Sequence, residues 1–172
     1  MKKIFLYIAI GITVLAIPLT VFLVSRSQEL RKKAAPSTTL SFSPATASKN
    51  AGETLKLNVQ IDPGNNQVTT VKLAIIYDPT KVEATAITHG PLAPSILASG
   101  LIEASTAAIT VGAASNAQPI DEPGTVATIT FKMKENTGST PTVIQFGTAT
   151  RVGGLGETAN VLTGTSPANI TI

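Results

Sequence analysis

The sequence predicts an all-β protein, an antiparallel β-sandwich of about nine short strands, preceded by one N-terminal transmembrane helix. Three observations support this prediction. After residue 37, apolar and polar residues alternate in short segments separated by Gly and Pro. No segment there keeps apolar residues at helical spacing for three turns, and 94–105, the nearest, is interrupted by Gly100. Residues 4–24 form 21 consecutive positions without a charge.

The uncharged segment at residues 4–24, IFLYIAIGITVLAIPLTVFLV, is long enough to cross a bilayer as a helix rising about 1.5 Å per residue. Pro18 is compatible with a kinked membrane helix. Because the apolar part of a cleavable signal peptide is shorter, roughly 7 to 15 residues, we expect a retained membrane anchor. Ser25-Arg26-Ser27 resembles a weak cleavage site, so a secreted domain is the alternative.

The basic residues around this segment give conflicting signals about its orientation. Lys2 and Lys3 precede it, whereas four basic residues follow it, and this count favours a cytoplasmic C-terminal side. A three-residue N-terminus followed directly by the apolar segment is typical of an export signal. We therefore expect a single-pass protein of the cell membrane whose C-terminal domain is extracellular.

The net charge differs between the two parts of the chain. Residues 1–33 carry six basic side chains and one acidic one, a net charge of +5, whereas residues 34–172 carry seven basic and nine acidic ones, a net charge of −2. The sequence pI of about 9.3 therefore reflects the anchor. Without a basic patch, we expect the domain to bind no nucleic acid.

The strands are best seen in two alternating segments. ETLKLNVQID places Leu, Leu, Val and Ile at 55, 57, 59 and 61 on one face. GTVATITFKMK places Ala, Ile, Phe and Met at 127, 129, 131 and 133 on one face. Further strands are predicted within 38–44, 107–115, 141–150 and 168–172, and PGNNQ at 63–67 is predicted to be a turn. The domain organisation is then an anchor with basic flanks at 1–33, a short linker at 34–37 and one β-sandwich domain at 38–172.

The segment VKLAIIYDPTKVEATAI, residues 71–87, raises the question whether Asp78 is a chemical group or a corner between two strands. Asp before Pro disfavours helix and can accept hydrogen bonds from nearby backbone amides. We therefore interpret Tyr77, Asp78 and Pro79 as a structural corner, with Tyr77 on the core face. Thr70, Lys72 and Ala74 point to the other side of the first strand.

Few residues of the domain are candidates for chemistry. The absence of Cys excludes disulfides and thiolate sites, and one histidine, His89, cannot form a zinc site alone. The carboxylates lie mostly in turns or on strand surfaces, and Asp121-Glu122 lacks the loop pattern of a calcium site. RVGGLGE at 151–157 lacks the Lys-Ser/Thr ending of a phosphate-binding loop. We expect no catalytic residue, no metal site and no cofactor.

Four segments together resemble a known family. LSFSP, AGETLKLNVQID, KLAIIYDPTKVEA and GTVATITFKMK, in this order and spacing, resemble cohesin domains over about residues 38–172. The resemblance implies a jelly-roll sandwich of about nine strands that binds dockerin modules and assembles polysaccharide-degrading complexes. It also implies a structural relation to some carbohydrate-binding modules.

The resemblance also indicates where a partner would bind. Familiar cohesins carry polar Asn and Asp on the strand before the YDP corner, on the face that meets dockerin, and Thr70 and Lys72 occupy that place here. Lys reverses a charge, so a dockerin partner should differ from those of familiar cohesins. Thr70, Lys72 and Ala74 are the predicted partner-binding residues.

Three functions follow from these observations. The first is a membrane-anchored module that docks a dockerin-like protein at the cell surface. The second is a carbohydrate-binding module acting directly on a polysaccharide, although the four aromatic residues of the domain all fall on predicted core faces. The third is a structural surface domain without a specific ligand.

Overall fold

The structure, a computed structural model, describes residues 35–135 and 140–172. Residues 35–172 form a compact unit. The predicted membrane anchor at residues 4–24 lies outside the described residues. Within the part that is described, no helix is long and apolar enough to cross a membrane.

The described residues contain twelve strands and no helix, which confirms the all-β prediction. The structure has twelve strands instead of about nine because four segments without a clear alternating pattern, β2, β6, β10 and β11, also pair as strands. The strands are β1 Thr38–Ser43, β2 Thr46–Ser48, β3 Thr54–Asp62, β4 Val68–Ile76, β5 Val82–His89, β6 Ser95–Ile102, β7 Thr106–Gly112, β8 Gly124–Met133, β9 Thr142–Phe146, β10 Arg151–Gly154, β11 Leu162–Thr165 and β12 Ala168–Thr171.

The strands form two sheets. The five-stranded sheet has the order β11-β1-β3-β8-β5. The seven-stranded sheet has the order β2-β12-β9-β4-β7-β6, and β10 pairs with β4 beside this path. Strand β6 is therefore an edge strand, and β4 lies inside the seven-stranded sheet.

Two of the pairings are parallel, which corrects the prediction of a purely antiparallel sandwich. Strand β1 pairs with β11, and β2 pairs with β12, each in parallel. The physical reason is that the segments β1–β2 and β11–β12 both pass from the five-stranded sheet to the seven-stranded sheet. Only Pro44 and Ala45 separate β1 from β2, and only Ser166 and Pro167 separate β11 from β12. The two segments therefore run side by side across the sandwich.

One hydrophobic core joins the two sheets. The alternating residues predicted on one face of β3 and of β8 are all buried, as are Val71, Leu73 and Ile75 of β4. The aromatic residues take part in this core: Phe42 stacks on Phe146 at a centroid distance of 4.4 Å, and Tyr77 meets Phe131 edge-on at 5.2 Å. All buried core residues lie between 40 and 172, so a fragment of residues 35–172 contains the whole described core.

The turn between β3 and β4 holds the beginning of β1 in place. Gly64 has φ +58°, and a Cβ atom there would lie 2.6 Å from the Ser37 hydroxyl oxygen, so glycine is required twice over. Asn66 is buried, and its side-chain oxygen accepts hydrogen bonds from Ser37 N at 2.9 Å, Ser37 Oγ at 3.0 Å and Thr38 Oγ1 at 3.1 Å. The predicted turn thus also ties the chain entering the domain to the sandwich.

Candidate functional site

Strand β4 presents one side to the core and the other to the outside of the sandwich. The predicted partner-binding residues Thr70, Lys72 and Ala74 alternate with its buried positions; Lys72 is exposed and the other two are half-buried. In strand geometry, alternate residues point to the same side of the sheet. We call the side of β10, β4, β7 and β6 that carries Thr70, Lys72 and Ala74 the outer face.

Strand register identifies the neighbours of these residues. Lys72 lies opposite Thr110 of β7 and opposite Arg151 of β10. Ala74 lies opposite Ala108. Directly opposed residues of antiparallel strands point to the same side, so the sheet brings two cationic side chains together on β4 and β10, at the side of the outer face opposite to β6.

The cationic pair Lys72 and Arg151 borders a shallow depression in the outer face. Glu157, Thr158 and Asn160 complete its rim. Neither cation forms an ion pair within residues 35–135 and 140–172, where the ion pair found joins Lys81 to Glu135 at 3.0 Å. The side-chain oxygen Oε1 of Glu157 is buried without a hydrogen-bond partner.

Strand β6 adds exposed apolar side chains at the edge of the outer face. Leu101 lies opposite Ala108, and the side chain of Leu97 lies 3.2 Å from where a Cβ of Gly112 would be. Gly112 lies opposite Thr70, so Leu97 covers the outer side of β7. Both leucines are 58% exposed. We call them the leucine edge.

A face that carries both an exposed pair of leucines and a pair of cations is a surface typical of protein binding. Soluble domains seldom expose contiguous large apolar side chains without a partner, whereas interface centres combine apolar residues with Arg. The outer face therefore has the composition of a docking surface.

The corner residues lie away from the outer face, between β4 and β5. The Asp78 carboxylate accepts hydrogen bonds from the hydroxyl of Thr80 at 2.7 Å and from its backbone N–H at 2.9 Å. These two bonds, the hydroxyl first, lower the pKa of Asp78. The backbone carbonyl of Asp78 also accepts from the N–H groups of Lys81 and Val82. Asp78 is occupied in shaping the turn.

Tyr77 closes the same corner from the core side. Its ring is buried, and its hydroxyl donates a hydrogen bond to the carbonyl oxygen of Glu103 at 2.7 Å. Burial raises the pKa of Tyr77. Pro79 follows, and its carbonyl oxygen accepts a hydrogen bond from Lys134 at 3.0 Å. The corner is held by the residue after β8 as well as by the loop before β7.

The described residues bring together no group of three or more His, Asp or Glu side chains that could hold a metal ion. The segment RVGGLGE forms β10 and the turn after it, and β10 pairs antiparallel with β4. Its backbone is therefore part of the outer face.

Sequence reasoning missed Leu97, Leu101 and Arg151 as parts of the site. Nothing in the sequence places these three residues on the same face as Lys72, because that placement depends on the pairing of β10, β4, β7 and β6. A signal was present in SILASGLI, where four large apolar residues occur without the spacing of a buried strand.

Comparison with known proteins identifies the family. A sequence model of the cohesin domain matches residues 40–167, most of the chain. The chain belongs to the cohesin family. No curated protein matches the sequence.

Solved cohesin structures share the fold. The solution structure of CaCohA2 from Clostridium acetobutylicum is 21% identical, with a TM-score of 0.69 over 82% of this chain and 94% of that one. A non-cellulosomal cohesin from the archaeon Archaeoglobus fulgidus is 14% identical, with a TM-score of 0.63 over 79% and 91%. The Coh-OlpC chain of a type I cohesin–dockerin complex from Clostridium thermocellum is 14% identical, with a TM-score of 0.61 over 77% and 90%.

Proposed function

We propose that this cohesin is a non-catalytic docking module that binds a dockerin domain through the outer face. Membership of the cohesin family supports this proposal, together with the similar cohesin solved in a cohesin–dockerin complex. The observation that carries it is that the leucine edge and the exposed Lys72 and Arg151 share one face, with β7 between them, because this combination of apolar and cationic side chains has no partner within the described residues.

We further propose that residues 4–24 anchor the protein in the cell membrane and that the domain faces the outside. The length and apolar character of this segment support the anchor. A dockerin bound to the outer face would then be held at the cell surface.

Direct carbohydrate binding is less well supported. Polysaccharide platforms present aromatic rings to the sugar, yet Phe42, Tyr77 and Phe131 are buried and Phe146 stacks against Phe42. No aromatic ring of Phe, Tyr or Trp lies on the outer face in the described part of the chain.

The test measures binding of a fragment of residues 35–172 to a panel of dockerin domains. The panel holds dockerins from the source genome and the dockerin of the Clostridium thermocellum complex. We expect at least one dockerin to bind, and the double substitution Leu97→Ser with Leu101→Ser to weaken it at least about tenfold, since it removes apolar surface that the complex would withdraw from water.

Val143→Ser is the matched control, because Val143 is 43% exposed in the same sheet but lies on β9, away from the leucine edge. It should leave dockerin affinity unchanged. Affinity gels with several polysaccharides are run in parallel. Retention of the fragment by a polysaccharide, with no dockerin bound, would contradict the proposal.

A further inference from the structure

The charge arrangement of the outer face indicates what chemistry a partner must carry. Lys72 and Arg151 lie directly opposite each other on β4 and β10, and both are exposed. Like charges in this position repel each other and destabilise the sheet. Glu157 borders the same depression but forms no ion pair with either cation. Neither cation thus has an ion-pair partner among the described residues.

This cationic pair contrasts with the rest of the domain. Residues 34–172 have a net charge of −2. The strands β4, β6, β7 and β10, in contrast, contain no acidic residue, and Lys72 and Arg151 are their only charged residues. The outer face is therefore locally positive in a domain that is negative overall.

From this arrangement we propose that the partner presents an Asp or Glu side chain over Lys72 and Arg151, flanked by apolar side chains against the leucine edge. This inference rests on the proposed docking function and adds the selectivity of the same face. A carboxylate can accept two hydrogen bonds from the Arg fork and a third from Lys, which satisfies both cations at once.

The same pair rejects dockerins that lack the carboxylate. An apolar or basic contact residue would bury two like charges without compensation, and such a desolvated, unpaired charge opposes binding. The apolar contacts at the leucine edge supply attraction for any partner, whereas the cationic pair decides which partner is accepted.

A membrane surface or a nucleic acid is less suited to this face. Two cations are few for binding either polyanion, and the net charge of −2 repels both. A protein carboxylate needs only the two cations that the outer face provides.

The experiment selects partners from a displayed library. The dockerin of the Clostridium thermocellum complex is randomised at the positions that contact its cohesin, and clones are selected separately on three forms of the 35–172 fragment. These are the wild type, the double variant Lys72→Glu with Arg151→Glu, and the control Lys56→Glu with Lys132→Glu. The control residues are also exposed, but they lie on β3 and β8 of the other sheet.

We expect clones selected on the wild type and on the control to be enriched in Asp or Glu. Clones selected on the Lys72→Glu, Arg151→Glu variant should be enriched in Lys or Arg and bind the wild type at least about tenfold more weakly. Thermal unfolding of all three fragments checks that the exposed substitutions leave the domain folded.

The outcomes separate the two proposals. Clones that bind wild type and charge-reversed fragments equally, or that lack acidic enrichment, overturn the inference while leaving the docking function intact. A library in which no clone binds the wild type counts against docking itself, and the inference fails with it. Binding of the fragment to phosphatidylserine vesicles that is lost on charge reversal would assign the cations to a membrane surface instead.

Discussion

The Asp78 carboxylate is bound by the hydroxyl and the backbone N–H of one residue, Thr80, at 2.7 and 2.9 Å. These bonds favour the charged form and hold the pKa of Asp78 below its usual value of 3.8. A lowered pKa stabilises the folded state above about pH 3.8, and this contribution is lost as the pH falls through the lowered value.

Asp78→Asn should therefore remove an acid-sensitive part of the stability. We expect the difference in Tm between wild type and Asp78→Asn to be constant from pH 7 to pH 5 and to shrink below about pH 4. Thermal unfolding of the 35–172 fragment followed by circular dichroism measures it. Thr80→Val, which removes only the hydroxyl donor, should give an intermediate pH dependence. Parallel Tm curves of wild type and Asp78→Asn down to pH 2 would contradict the assignment.

Residues whose role depends on local sequence could be predicted, and residues whose role depends on distant contacts could not. Asp78-Pro79 indicates a turn because both residues act on their own backbone. The sequence assigns Asn66 only to a turn, because the Ser37 and Thr38 groups that it binds lie 29 and 28 residues earlier in the chain. The same holds for Arg151, which reaches Lys72 only through the pairing of β10 with β4.

At the scale of elements, the turn between β3 and β4 acts through Asn66, which accepts three hydrogen bonds from the beginning of β1. Asn66→Ala leaves the Ser37 N–H without this acceptor, whereas the Ser37 and Thr38 hydroxyls keep the Pro63 carbonyl oxygen at 3.5 and 3.1 Å. We expect a loss of about 2 to 3 kcal/mol in the free energy of unfolding, measured with urea on the 35–172 fragment.

Asn65→Ala is the matched control for this element. The exposed Asn65 is the neighbour of Asn66 and contributes only its backbone N–H to the Ser37 hydroxyl, a bond that alanine keeps. The free energy of unfolding of the Asn65→Ala variant should stay within about 0.5 kcal/mol of the wild-type value. Equal losses in the two variants would show that the turn, and not the Asn66 side chain, matters.

Elements were predictable where one side of a strand is buried. Strands β3 and β8 alternate because they lie inside the five-stranded sheet with one side on the core. Strand β6 could not be predicted, since it is an edge strand whose register with β7 shifts twice and whose apolar residues are exposed. In the short strands β10 and β11, glycine removes the side chains that would reveal alternation.

At the scale of the whole molecule, the proposed orientation places the domain outside the cell, where added protease can reach it. A site for a sequence-specific protease, inserted between residues 34 and 35, precedes the Ser37–Asn66 contact and leaves it intact. If the anchor is retained and the domain faces outside, protease added to intact cells should release the domain into the medium.

Two other results would correct this topology. Release only after lysis would place the domain in the cytoplasm, as the count of basic residues after residue 24 favours. Domain found in the medium without protease would show that the N-terminal segment is cleaved. An uninserted chain treated in the same way is the control for cleavage within the domain itself.

The position of β1 has a mechanical consequence for the proposed tether at residues 4–24. The chain enters the domain through β1, which lies between β3 and β11 and not at the edge of its sheet. Backbone hydrogen bonds run across the strand direction. A pull transmitted from residue 35 along β1 therefore loads the bonds to both neighbours together, in shear, whereas an edge strand pulled outwards would be peeled away one bond at a time.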